Sequence, residues 1–273
     1  LTVHPHHISR LESEVPGGPE AGLTIAPRTV SDVVTVLKYA TEQRLALQVW
    51  GGGSHSGYGA PPEPDLVMST HRLDSVGKWD PDDLTIVVDA GARVETVEAM
   101  LAERNQSLVM PEIPGPATVG GVIAAGVSSL RRGRLYGTRE RVLETTSVTG
   151  DGRTVRSGGR VVKNVTGYDL HRLSVGAFGS LGVIVSACLK LWPTPSGAVT
   201  VEIDDPEAAS RIARPLAVLE MNGQVSVYLR GTEAEVEGQS ERLGGRARPG
   251  LDWPADPTGP WRWSLRVPPA ATV

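Results

Sequence analysis

Two stretches of this sequence gather glycine and hydroxyl residues with hardly a bulky side chain between them, and backbone of that kind can bind anions. The first, Gly51-Gly52-Gly53-Ser54-His55-Ser56-Gly57-Tyr58-Gly59, directly follows the apolar run Leu45-Ala46-Leu47-Gln48-Val49-Trp50. Amides in such a turn can converge on a diphosphate with no side chain in the way. Two familiar phosphate loops are excluded. Ser56 stands where a G-x-G-x-x-G fingerprint needs glycine, and Ala60-Pro61-Pro62-Glu63-Pro64 cannot open a helix. No glycine is followed by Lys and then Ser or Thr, so there is no Walker A loop. Taken alone, the segment is also compatible with a glycine-rich surface loop. The second stretch, Pro114 to Gly126, sets Thr118 ahead of Val119-Gly120-Gly121-Val122-Ile123-Ala124. This reads as a capped helix start whose free amides would face an anion, or as close helix packing through small residues; the two are compatible. A third, Gly179-Ser180-Leu181-Gly182-Val183-Ile184, is a turn into an apolar strand and is weak evidence by itself.

Other chemistry is sparse. His4, His6 and His7 lie in a terminal segment with no carboxylate or thiol at ligand spacing, so no metal site is expected. His55 belongs to the first glycine loop, while His71 and His171 read as ordinary surface or core histidines. Arg131, Arg132 and Arg134 could meet an anionic ligand or form a solvated helix end. No catalytic base is assigned.

The glycine loops need elements to hold them. Residues 22–27 read as a strand, Thr29 and Asp32 as a capping box, and Val33, Val34, Leu37 and Ala40 as one face of the helix that follows. Residues 45–50 form the next strand; 65–70 and 84–89 are two more, with a helix over 94–104 stopping at Asn105. A hairpin turns about Thr149-Gly150-Asp151-Gly152, and 180–191 is a last apolar strand before Pro193 and Pro195, which mark a boundary. Beyond it, strands over 199–203 and 224–230, helices over 206–219 and 233–243, a loop over 246–260 and an alternating strand Trp261 to Val267 suggest a smaller α/β unit.

Composition limits the partners. The chain has 27 basic and 31 acidic residues in 273, a net charge of -4 and no basic stripe, so nucleic acid is not expected. No run of about 18 apolar residues could span a bilayer. One cysteine, Cys188 in an apolar run, suits a reducing compartment, and Leu1 to His7 lack signal-peptide features; a cytoplasmic location is expected, with any attachment to the inner membrane face made through partner subunits.

Taken in order, the glycine segments over about 22–195 resemble the flavin domain shared by vanillyl-alcohol oxidase, lactate and glycolate dehydrogenases and UDP-N-acetylenolpyruvoylglucosamine reductase. The long run Gly158-Gly159-Arg160-Val161-Val162-Lys163-Asn164-Val165-Thr166-Gly167-Tyr168-Asp169-Leu170, followed by Gly179 to Gly182, resembles most closely the FAD-binding subunits of bacterial glycolate oxidases. The resemblance implies an α+β fold: an N-terminal segment (1–21), a two-lobed PCMH-type FAD-binding domain over 22–195 with lobes of about 22–64 and 65–195, and a short, truncated α/β cap domain over 196–273. It implies that residues 51–57 and Tyr58 wrap the pyrophosphate, that Pro116, Thr118, Gly120, Gly121 and Ala124 line the other side, and that Gly182, Val183 and Ile184 face the adenine. It further implies site roles for Gly137, Thr138 and Glu140, the last where relatives often carry Asp, and for Lys163, Asn164 and Tyr168 as a flavin-side loop. Covalently linked relatives carry Arg and His where this chain has Trp50 and Ser54, so non-covalent FAD is expected. The implied function is an oxidoreductase subunit of a 2-hydroxy-acid dehydrogenase, beside a second flavin subunit and an iron–sulfur subunit. The alternatives are a non-catalytic FAD-binding scaffold or a stand-alone oxidase. One cysteine cannot itself hold a cluster that needs four thiolates.

Overall fold

The computed structural model describes residues 8–12, 14, 18, 22–58, 63–111, 115–160 and 168–254. Backbone contacts divide the chain into two compact units, Leu1–Pro195 and Ser196–Val273.

The first unit begins with β1 (Leu23–Ile25), α1 (Val30–Gln43), β2 (Leu47–Trp50) and β3 (Leu66–Ser69). The helix starts where its caps dictate: the Asp32 amide donates to Thr29 Oγ1 at 3.1 Å, and the Thr29 amide donates to Asp32 Oδ2 at 3.0 Å. It ends at Arg44, a left-handed cap with φ 55°. The three strands form a parallel sheet in the order β1-β3-β2. The first sheet therefore reaches Ser69, past the expected lobe division at residue 64.

A second sheet takes β4 (Val76–Asp80), β5 (Thr85–Asp89), β7 (Val142–Val148), β8 (Thr154–Gly158) and β9 (Val183–Lys190) in the antiparallel order β4-β5-β9-β7-β8. Packed with it are α2 (Val94–Ala102) and α3 (Val119–Ala125), while β6 (Gln106–Ser107) pairs with β10 (Trp192–Pro193). Two short helical turns, α4 (Arg132–Leu135) and α5 (Thr138–Arg141), lead into β7. Strand β9 serves two cores, one from each face, and its pairing with β7 slips between Thr146 and Ser147. The bulge reverses the alternation. Val183 and Val185 pack with β1, α1 and β3, whereas Ile184, Ala187 and Leu189 pack with β5, α2 and α3. Cys188 is buried on this strand, and burial pushes its thiol up to about 11, so it is a packing residue rather than a nucleophile.

The second unit is a four-stranded antiparallel sheet of β11 (Gly197–Ile203), β12 (Ala217–Met221), β13 (Gln224–Gly231) and β14 (Arg246–Pro249), in the order β12-β13-β11-β14. Against it lies α6 (Glu233–Leu243), opened by a Thr232/Glu235 capping box. Two expectations fail here. The helix over 206–219 is only a 3-10 turn, Pro206–Arg211, followed by β12; Pro215 lacks the amide a helix needs and disfavours helical backbone at Arg214, whose φ is 59°. The expected loop at 246–260 begins with an edge strand, β14, which tolerates Pro249 because it sits at the strand's end. The expected strand at 261–267 lies outside the described residues.

Candidate functional site

In the first unit, the loop after β2, the start of α3 and the turn into β9 surround one cavity of about 1010 Å³. That is at the upper limit of the roughly 300–1,000 Å³ typical of small-molecule sites, so the space suits a large ligand. The two glycine stretches touch. A Cβ on Gly51 would collide with Thr118 Oγ1, and one on Gly52 with the Pro116 carbonyl. Gly53 is left-handed at φ 73°, and its open side is filled by the Trp50 ring. Thr118 caps α3 by accepting the Gly121 amide at 3.2 Å, and the Gly120 amide donates to the Ala90 carbonyl at 2.8 Å, where a Cβ would strike Ala90. On the third side, Gly182 combines φ 134° with an approach to the Val148 carbonyl that leaves no room for a side chain.

The cavity wall includes Gly51, Gly52, Gly53, Ser54, His55, Ser56 and Tyr58 from the first loop. Thr118, Gly120, Gly121 and Ala124 come from α3, and Gly182, Val183 and Ile184 from the third segment. Other expected residues lie elsewhere. Gly57 is exposed beside the cavity, and Pro116 stands behind the wall as the carbonyl under Gly52. Gly137, Thr138 and Glu140 serve α5 instead: the Gly137 amide donates to Glu140 Oε2 at 3.1 Å, and the Thr138 hydroxyl donates to the Val127 carbonyl. Tyr168 is 89% exposed and off the wall. Lys163 and Asn164 lie outside the described residues.

Sequence reasoning missed several wall residues. Gln48 and Trp50 lie two apart on β2, and Gln48 Oε1, Trp50 Nε1 and Ser54 Oγ are buried with no hydrogen-bond partner. Buried polar atoms are rarely left so. Phe178 is a wall residue too, its amide held by the Ala124 carbonyl at 2.9 Å. The wall carries no carboxylate among the described residues, which leaves the space free of charge repulsion toward an anion. A buried arginine also escaped notice. Arg141 lies over the Trp192 ring at 5.8 Å, donates to the Leu135 carbonyl and is pushed down to about 10 by burial, while its Nε and Nη1 have no partner.

Neither of the other two described histidines, His71 and His171, lies on the cavity wall. His71 Nδ1 bonds to Ser69 Oγ at 2.9 Å. His171 is buried, its Nδ1 has no partner, and burial holds its pKa below the ordinary value. The unfolded chain therefore takes the proton first. Stability linked to neutral His171 is complete above about pH 6.5 and is lost as pH falls below it. The melting temperature of the wild type is expected to drop more steeply between about pH 7 and pH 5 than that of His171→Gln, and parallel curves would remove His171 from this role. Among the described residues, no group of three or more His, Cys, Asp or Glu could hold a metal, and no helix is long and apolar enough to cross a membrane.

The family described as "FAD binding domain" matches residues 21–158. Glycolate oxidase subunit GlcE of Escherichia coli (strain K12) is 34% identical over 226 residues, covering 78% of this chain and 64% of that protein. D-lactate dehydrogenase of Archaeoglobus fulgidus is 34% identical over 182 residues, covering 65% and 40%. The chain thus spans less than two thirds of the length of these curated relatives. Among solved structures, alkyldihydroxyacetonephosphate synthase superposes with a TM-score of 0.66 at 15% identity, over 85% of this chain and 53% of that one. A Phl p 4 variant described as a glucose oxidase gives 0.63 at 16%, over 86% and 53%. These two likenesses show the fold alone. A large cavity walled by glycine backbone has room for a dinucleotide, and the chain belongs to the PCMH-type FAD-binding domain family, homologous to bacterial glycolate oxidase subunits.

Proposed function

We propose that this chain is an FAD-dependent oxidoreductase subunit acting on the CH–OH group of 2-hydroxy acids within a multi-subunit dehydrogenase. The observation that carries the reading is the glycine-walled cavity in a chain whose relatives are named for glycolate, D-lactate and D-2-hydroxyglutarate oxidation. In this reading, residues 51–56 wrap the pyrophosphate, Thr118, Gly120 and Gly121, with the amides of both glycines already bonded within the protein, leave room for it on the other side by lacking bulk, and Gly182, Val183 and Ile184 face the adenine. The apolar side chains of Leu37, Val122 and Leu181 on the wall exclude water from the bound dinucleotide. FAD supplies a two-electron acceptor for the hydride of the hydroxyl-bearing carbon. Among the described wall residues Arg44 is the one permanent cation, and no carboxylate is present to take the hydroxyl proton. The reading places the chain beside a second flavin subunit and an iron–sulfur subunit in a cytoplasmic complex, and assigns no base. In this reading the second unit, Ser196–Val273, belongs to a cap domain.

The same poverty of acid–base groups favours a second reading, an FAD-holding scaffold whose own flavin never meets substrate. The test is to mix the FAD-loaded chain with glycolate or D-lactate and a dye acceptor, with and without the co-purified partners. Bleaching of its own flavin, alone or only with partners, supports the first reading. A flavin that stays oxidised while the complex turns over selects the scaffold, and a chain that takes up no added FAD overturns both.

A further inference from the structure

The sequence contains a single phenylalanine, Phe178, and the fold does not bury it. It is 57% exposed on the cavity wall, between the third glycine segment and α3. Its backbone is left-handed at φ 49°, a region that bulky residues rarely occupy and that costs stability unless something else is gained. Neighbouring contacts hold it there: its amide donates to the Ala124 carbonyl at 2.9 Å, and the Gly176 amide donates to the Ile123 carbonyl at 3.1 Å. Across from it stands Tyr58 of the first glycine loop, 48% exposed and also on the wall. The two rings lie 6.3 Å apart at 48°, and Tyr58 is buttressed edge-on by His55 at 5.3 Å and 77°. A large apolar ring held exposed in a strained backbone, facing a second ring at a ligand cavity, is poorly explained by packing.

We propose that Phe178 and Tyr58 form an aromatic clamp that stacks on a flat heteroaromatic ring of the bound dinucleotide. This rests on the FAD reading above. At this separation and tilt the two rings make a loose contact, neither stacked nor edge-on, that a planar guest can replace, and stacking of a heterocycle on an exposed aromatic side chain is a substantial binding contribution. Both rings of FAD have the required chemistry, the isoalloxazine and the adenine, and Phe178 and Tyr58 are positioning residues for whichever lies there.

The test uses the whole chain stripped of flavin. Phe178→Gly removes the ring and at the same time relieves the left-handed backbone. Its melting temperature without FAD is expected to equal or exceed that of the wild type, while FAD binds about tenfold more weakly by fluorescence titration. Tyr58→Leu is expected to weaken binding similarly, and Phe178→Tyr to restore it. Competition with FMN and with ADP identifies the ring: the analogue whose affinity falls in Phe178→Gly is the one that carries it. Unchanged FAD affinity in both Phe178→Gly and Tyr58→Leu overturns the clamp and leaves the FAD reading standing. A Phe178→Gly protein that melts well below the wild type overturns it as well, since the ring then serves the fold. A wild type that takes up no FAD overturns the reading beneath it.

Discussion

Gly121→Asp is expected to give a folded protein that holds no FAD. The Gly121 position faces the cavity, and a Cβ built there meets only Thr118 Oγ1, at 3.0 Å, so α3 can accept the substitution with a small adjustment. The carboxylate that follows the Cβ enters space assigned to the diphosphate. Two like charges about 4 Å apart at an effective dielectric of about 20 repel by about 4 kcal/mol, on the order of a thousandfold in affinity. Gly52→Asp is expected to lose FAD for another reason. Its Cβ points at the Pro116 carbonyl rather than into the cavity, so the substitution pushes the loop away from the segment that leads into α3. A backbone collision of that kind costs about 3 kcal/mol or more and lowers the melting temperature by roughly 10 °C. Visible absorbance after dialysis against FAD, paired with thermal melts, separates the two. A yellow Gly121→Asp protein would move the diphosphate elsewhere, and an unshifted Gly52→Asp melt would show that the loop is not docked on Pro116.

The contrast between these two glycines marks how far the sequence could be followed. Spacing alone identified segments whose backbone must come close to something, since glycine is the signal and it is local. What each glycine approaches is set by chain folding far away. Gly52 meets Pro116, Gly120 meets Ala90 and Gly182 meets Val148, and none of these pairs is visible from local pattern. Most strands of the first unit followed from apolar runs, but β4, with only Val76 and Trp79 as apolar side chains, β6 and β10 did not, nor did the order β4-β5-β9-β7-β8 or the bulge in β9. Pro215 was a local signal that apolar spacing over 206–219 overrode. Glu140 was assigned to a ligand through resemblance, yet its carboxylate accepts the Gly137 amide and caps α5, a role any acidic residue at that position could fill. Phe178 left no trace beyond its singularity in the composition, because neither its left-handed backbone nor its distance to Tyr58 is written in neighbouring residues. Buried Arg141 was equally silent: nothing local distinguishes it from the exposed arginines around it.

Acid precipitation of the FAD-loaded protein is expected to leave the pellet colourless and release all of the flavin to the supernatant. Histidyl attachment needs an imidazole nitrogen beside the flavin's methyl carbon, and the position that would supply it is Ser54, whose hydroxyl is a far weaker nucleophile at neutral pH. Among the described residues His55 is the histidine on the cavity wall, and the loop's own geometry opposes the exchange. The Ser56 amide donates to the Gly53 carbonyl at 3.1 Å, and the Tyr58 amide donates to the His55 carbonyl at 3.1 Å, so residues 53–58 are two consecutive tight turns. Moving His55 into the place of Ser54 breaks both bonds, at about 1 kcal/mol each, and withdraws the imidazole from its edge-on contact with Tyr58. The stretch of cavity wall formed by residues 53–56 would be displaced with them. Ser54→Ala should release flavin as completely as the wild type does. Yellow colour retained in the wild-type pellet and lost in a His55→Ala pellet would show instead that the loop rearranges to place His55 at the flavin.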